Sequence, residues 1–187
     1  MRRRLVALVL LAAVAFAACG SSSKSASTAT TPVEQLSSPS YEKATPNPSK
    51  SAKMVCEEEA RNDISVALGV RETRVTTPTW VRADHLYSCT YVYPHGQITL
   101  HVKEMSSADE TTAYFDSIVR KYGSTQKLLG LGQGAWILKN NDVVVRKDYK
   151  VLLVDVQKIP ATFGLRMTRS DVATNIAVVI MGCWTGA

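Results

Sequence analysis

Four cysteines, three histidines and one glycine-spaced loop are the residues of this 187-residue chain whose types and spacing could do chemistry. Cysteines cross-link, ligate metals or act as thiolate nucleophiles, and histidines ligate metals or move protons near neutral pH. His85, His95 and His101 lie within 17 residues, on two expected turns and one expected strand, spacings that do not require them to converge on an ion. Gly130, Gly132 and Gly134 form Gly-x-Gly-x-Gly. Phosphate-binding loops follow a strand and open a helix, whereas these glycines are expected to follow a helix and open a strand. Gly-x-Ser-x-Gly, His-Glu-x-x-His and Ser-x-x-Lys with its companion motifs do not occur. The sequence therefore names no catalytic residue, no metal ligand and no cofactor.

The fourth kind of chemistry is acylation. Arg2, Arg3 and Arg4 precede an apolar run from Leu5 to Ala18, within the length of a secretory leader and short of the roughly 20 residues of a membrane-spanning helix. The run closes on Phe16-Ala-Ala-Cys19-Gly20, which resembles the lipobox of bacterial lipoproteins. That resemblance implies cleavage before Cys19, so that 1–18 is a signal peptide, and attachment of diacylglycerol to the Cys19 thiol. The mature chain would then be anchored to a membrane on its extracytoplasmic face. From Gly20 to Lys53 there are ten Ser, four Thr and four Pro, with little that is large and apolar, so 19–53 is expected to be a disordered tether.

Charge separates the same regions. The whole chain carries 22 Lys and Arg against 16 Asp and Glu, yet 54–187 holds 15 against 14. The excess sits in the leader and tether, which removes the case for nucleic-acid binding.

Residues 54–187 must supply the elements. Cys56, Ala60, Ile64, Ala67 and Leu68 share one helical face over 54–70, ended by Gly69. Strands are predicted over 74–82, 86–93 and 97–103, then a helix opened by Ser107-Ala-Asp-Glu110, then strands over 135–139, 143–147 and 150–157, and a last helix over 170–184. The order αβββ-αβββ-α with short turns predicts a single α+β domain, its antiparallel sheet made of two three-stranded meanders with the helices on one face. Tyr87, Tyr91 and Tyr93 alternate onto the face of Cys89, and Trp136 lies on a neighbouring stretch. These four either fill a core or line a pocket for an apolar ligand.

Val55-Cys56, Cys89-Thr-Tyr91, Gly130-Leu-Gly-Gln-Gly-Ala-Trp136 and the apolar C-terminal helix resemble features of small actinobacterial lipoprotein domains of unassigned role. After lipidation three cysteines remain, all on inward faces. Periodicity leaves each pairing open, Cys183 with either partner included, and the resemblance implies Cys56 with Cys89. The reading is a membrane-anchored extracytoplasmic lipoprotein whose domain binds an envelope protein or apolar ligand without catalysis. The alternative is an envelope hydrolase or transfer enzyme with an unrecognised site.

Overall fold

The computed structural model describes residues 41–185, so the leader, Cys19 and the first part of the tether lie outside the described residues. Helices α1 (Lys50–Met54) and α2 (Glu58–Leu68) are followed by β1 (Arg74–Val75), β2 (Thr79–Val81), β3 (Leu86–Tyr93) and β4 (Gly96–Glu104). Then come α3 (Ala108–Tyr122), β5 (Ser124–Lys127), β6 (Gly134–Leu138), β7 (Val143–Lys147), β8 (Lys150–Lys158), the short β9 (Thr162–Phe163) and β10 (Met167–Thr168), and α4 (Arg169–Thr185). The fold is α+β. Strand order is β1-β3-β4-β8-β7-β6-β5, antiparallel at every pairing, with β2 also on β3 and with β9 and β10 forming a separate pair.

The helix expected over 54–70 is α2 alone, begun four residues later, while α1 lies in the stretch expected to be tether. Ser49 caps α1 by accepting from the Ala52 amide, and the chain leaves helical form after Val55. The break sends Val55 into the core and releases its carbonyl, which accepts a hydrogen bond from the Tyr91 hydroxyl at 2.6 Å. Likewise 74–82 is not one strand. Pro78 has no N–H for the ladder, and four steps from Val75 to Thr79 oppose three from Tyr91 to Ser88, a bulge closed by Thr76 Oγ1 accepting from the Thr90 amide.

Helices cover both faces of the sheet, which corrects the expected one-sided arrangement. On β8, Leu152, Val154 and Val156 face the core shared by α2 and α4, while Val151 and Leu153 face Phe115, Ile118 and their neighbours on α3. A strand buried on both sides reads as a continuous apolar run, and Val151-Leu-Leu-Val154 is one. α3 packs chiefly over β7, β8 and β6. On β3 and β4 the side facing away from α2 and α4 carries hydrogen-bonded cross-strand pairs instead, Thr90 with Thr99 at 3.0 Å and Ser88 with His101 at 2.8 Å.

Residues 41–53, expected to belong to the tether, are part of the folded unit. Ala52 is fully buried, the Ala44 amide donates to the Met105 carbonyl, and Trp80 Nε1 donates to the Pro46 carbonyl. A buried Lys150–Glu104 pair holds this strap: Lys150 Nζ donates to the Glu42 carbonyl at 2.6 Å and Glu104 accepts from the Ser49 amide and hydroxyl. At the other end of the chain, Trp184 Nε1 donates to the Ser51 carbonyl.

Candidate functional site

Cys56 and Cys89 form a disulfide with Cα atoms 6.2 Å apart, tying the break between α1 and α2 to the middle of β3. Cys183 lies outside it, buried on α4.

The four aromatic residues named as pocket lining do not meet. Tyr87, Tyr91 and Tyr93 are 7%, 1% and 3% exposed in the core beneath α2 and α4. Trp136 pairs across from Val144 on the opposite face, against α3. Burial pushes the Tyr91 and Tyr93 phenols far above their ordinary value, and Tyr93 packs edge-on against Phe163 at 5.0 Å. A sealed tyrosine layer is core, so of the two readings left open for these tyrosines their burial favours packed interior over a pocket.

The histidines are spread along one hairpin. His85 precedes β3 in a left-handed conformation, edge-on to Trp80 at 5.9 Å, while His95 sits on the β3–β4 turn. An eight-residue strand separates them, about 26 Å at ~3.3 Å per residue, too far to share an ion. The glycine loop, 128–133, follows β5 and not a helix, because 124–127 forms an edge strand on β6. Gly132 is needed sterically: with φ +58°, a Cβ there would meet the Arg146 carbonyl oxygen at 2.6 Å. At Gly130, with φ +74°, a Cβ would meet nothing within 4 Å.

What the fold does create is a cleft of about 220 Å³ where α3 stops short of β3 and β4. Its floor is Leu86, Val151, Leu153 and Ile118, and its rim is Lys103, Lys121, Tyr114, Tyr122 and His101. Lys103 Nζ lies 5.6 Å from the Tyr114 ring centre and donates to the Asp84 carbonyl, and Lys121 Nζ lies 4.9 Å from the Tyr122 ring centre. Burial lowers the His101 imidazole from the usual histidine value, Asp155 partly opposing it. Burial raises the Tyr114 phenol, with Tyr122 and Asp84 adding to the effect. The rim therefore presents two lysines, an imidazole whose charged form burial disfavours and two tyrosines over an apolar floor.

Ligand pockets that enclose a drug-sized molecule run roughly 300–1,000 Å³, so this cleft admits one ring or one side chain. The sequence singled out none of its lining residues as a group, since they come from β3, β4, β8 and α3 and only the pairing register brings them together. Ser88 and His101, though bonded, have the geometry of a cross-strand pair: β3 is paired at Ser88 with Thr79 on one side and His101 on the other, so its backbone donors belong to the ladder. Comparison with protein families, curated proteins and solved structures finds no match to this chain.

Proposed function

We propose that this protein is a lipoprotein anchored through Cys19 to the extracytoplasmic face of a membrane, and that its α+β domain binds an envelope partner in the α3 cleft without catalysis. The lipobox-like run ending at Cys19 supports the anchor. The Cys56–Cys89 disulfide fits an oxidising compartment. In this reading the sheet is two three-stranded meanders, β2-β3-β4 and β6-β7-β8, and the cleft opens where they join because a single helix covers only the second.

The observation that carries the binding reading is the cleft itself, apolar below and cationic above, sized for one side chain. A partner that presents a large apolar residue flanked by a carboxylate fits it. Hydrolysis or group transfer has weaker support, because the Ser88–His101 bond has no donor pair beside it for a developing oxyanion. The test is crosslinking on whole cells with a photoreactive residue at Ile118 and at Lys121. A partner trapped there and lost with Lys103→Glu supports the reading, and no adduct at either position refutes it. For the anchor, Cys19→Ser should abolish palmitate labelling; unchanged membrane attachment in that variant would sink it.

A further inference from the structure

The chain enters the domain close to the α3 cleft. The ring of Tyr41, the first described residue, meets that of Tyr149 edge-on at 6.3 Å, and the Glu42 carbonyl beside it accepts from Lys150 Nζ at 2.6 Å, so the point of entry is fixed. Tyr149 is two residues from Val151, about 7 Å, and Val151 lies in the cleft opposite Lys103. Leu36 precedes Tyr41 by five residues, which span up to about 17 Å. The residues just ahead of the strap are therefore long enough to reach the cleft.

Reach alone does not choose this site. A groove of about 390 Å³ beside α4 is bordered by Lys147, two residues from Tyr149 in the other direction. Charge decides between them: Lys147 is paired with Asp148 at 3.1 Å, whereas neither Lys103 nor Lys121 forms an ion pair with a carboxylate among the described residues. An apolar floor under two lysines that lack a carboxylate suits one leucine-sized group with an acid beside it. From Gly20 to Ser40 the only large apolar residues are Val33 and Leu36, and the only acid is Glu34. In an extended chain positions 34 and 36 point to the same side, about 7 Å apart, so Leu36 on the floor brings Glu34 to the rim.

We propose that residues 33–36 of this same chain occupy the α3 cleft, with Leu36 on its floor and Glu34 at the lysines of its rim. The inference shares with the proposed function the cleft as a binding site, and it needs neither an external partner nor the lipid anchor. One leucine and one carboxylate bind weakly from solution, but a short connection supplies an effective concentration in the millimolar range. Occupancy is then partial, on the order of half. An external partner has to displace the segment, so the tether regulates access to the cleft.

The test uses the full chain with a photoreactive residue at Ile118, isolated from cells, held at submicromolar concentration and illuminated with nothing added. Lys24 and Lys43 bound the tryptic peptide 25–43. The expected adduct joins position 118 to that peptide within 33–36, with a fractional yield independent of protein concentration. No internal adduct, or one centred on other residues, overturns the proposal. A yield that rises in proportion to concentration also overturns it, because a second copy would then fill the cleft. Acetylation of Lys121 in the chain without the probe gives a second reading: Glu34→Gln/Leu36→Ser, which changes nothing within 41–185, should raise the labelling rate at Lys121 about twofold. An unchanged rate refutes the proposal. A partner trapped at 118 on whole cells without any internal adduct would leave the proposed function standing and remove this inference, and an internal adduct with no trapped partner would do the reverse.

Discussion

Removing the Cys56–Cys89 bond isolates what holds the N-terminal third against the sheet. The two cysteines are 33 residues apart in sequence. For a loop of that size the chain-entropy account assigns about 4 kcal/mol of stabilisation through the unfolded state, an amount comparable to much of a domain's total of roughly 5–15 kcal/mol. Unfolding a domain of this size carries about 0.3 kcal/mol/K of entropy, so the double variant Cys56→Ala/Cys89→Ala should melt about 12 °C lower. Differential scanning calorimetry on the variant and the oxidised parent measures the difference directly. Cys89 is 2% exposed, so truncation adds a small cavity term in the same direction. Cys183→Ala, also buried but outside the bond, should cost only about 1 kcal/mol and separates the cavity contribution from the covalent one. A shift of the double variant under about 3 °C, or a peptide map linking Cys183 to either other cysteine, refutes the reasoning.

His101 is neutral and depressed by burial in the folded state, so it contributes stability that is fully present above its unfolded value near 6.5 and is lost as pH falls below that value. Urea midpoints should therefore fall from pH 7 toward acid more steeply in the parent than in His101→Gln, and equal slopes would refute the assignment. Gly132→Ala, which puts a Cβ against a backbone oxygen as well as a side chain in the left-handed region, should destabilise by about 3 kcal/mol or more, while Gly130→Ala should cost about 1 kcal/mol. Thermal melts of the two that coincide would show that strain at Gly132 is relieved by loop movement. Lys150→Met leaves Glu104 buried without its cation and should cost about 3 kcal/mol by chemical denaturation. Because the pair holds the Glu42–Ser51 strap, proteolysis should first cut within residues 41–49 of that variant, and an unchanged cleavage pattern would count against the strap.

Most of the long elements were legible because each is governed by its own period. β3 and β4 alternate cleanly, since one face is packed and the other half-solvated, and α3 announces itself with a Ser107 cap whose hydroxyl accepts from the Glu110 amide. The two-sided burial was also written in the chain, in the unbroken apolar run of β8, but a run of that kind equally fits an interior strand under one layer of helices. What told against the one-sided arrangement was Trp136 and Leu138 alternating with Ala135 and Ile137, a pattern with apolar groups on both sides that composition alone treats as a short buried strand. β5 escaped because Ser124-Thr-Gln-Lys127 has no apolar side to bury and exists as an edge on β6.

The strap shows why composition misleads near a boundary. Ser, Pro and Lys over 41–53 cannot form a core by themselves, yet they need not, since their partners are Glu104, Met105, Trp80, Lys150 and Trp184, at least 27 residues away in sequence. The α3 cleft is hidden for the same reason: His101 and Lys103 read as ordinary exposed positions of β4 until α3, ending its cover at β8, leaves them beside Tyr114 and Ile118. Both features depend on where one element stops relative to another, and stopping points are set by packing that no local pattern encodes. A site built at such an edge is therefore best sought by asking which strands lack a helix above them. Here those strands are β3 and β4, and the side chains that remain half-exposed on them are Leu86, Ser88, Thr90, Val92, Gln97, Thr99, His101 and Lys103. Of these, Leu86, His101 and Lys103 reach the cleft, and the last two add the sheet's share of its polarity to that of Lys121, Tyr114 and Tyr122 on α3.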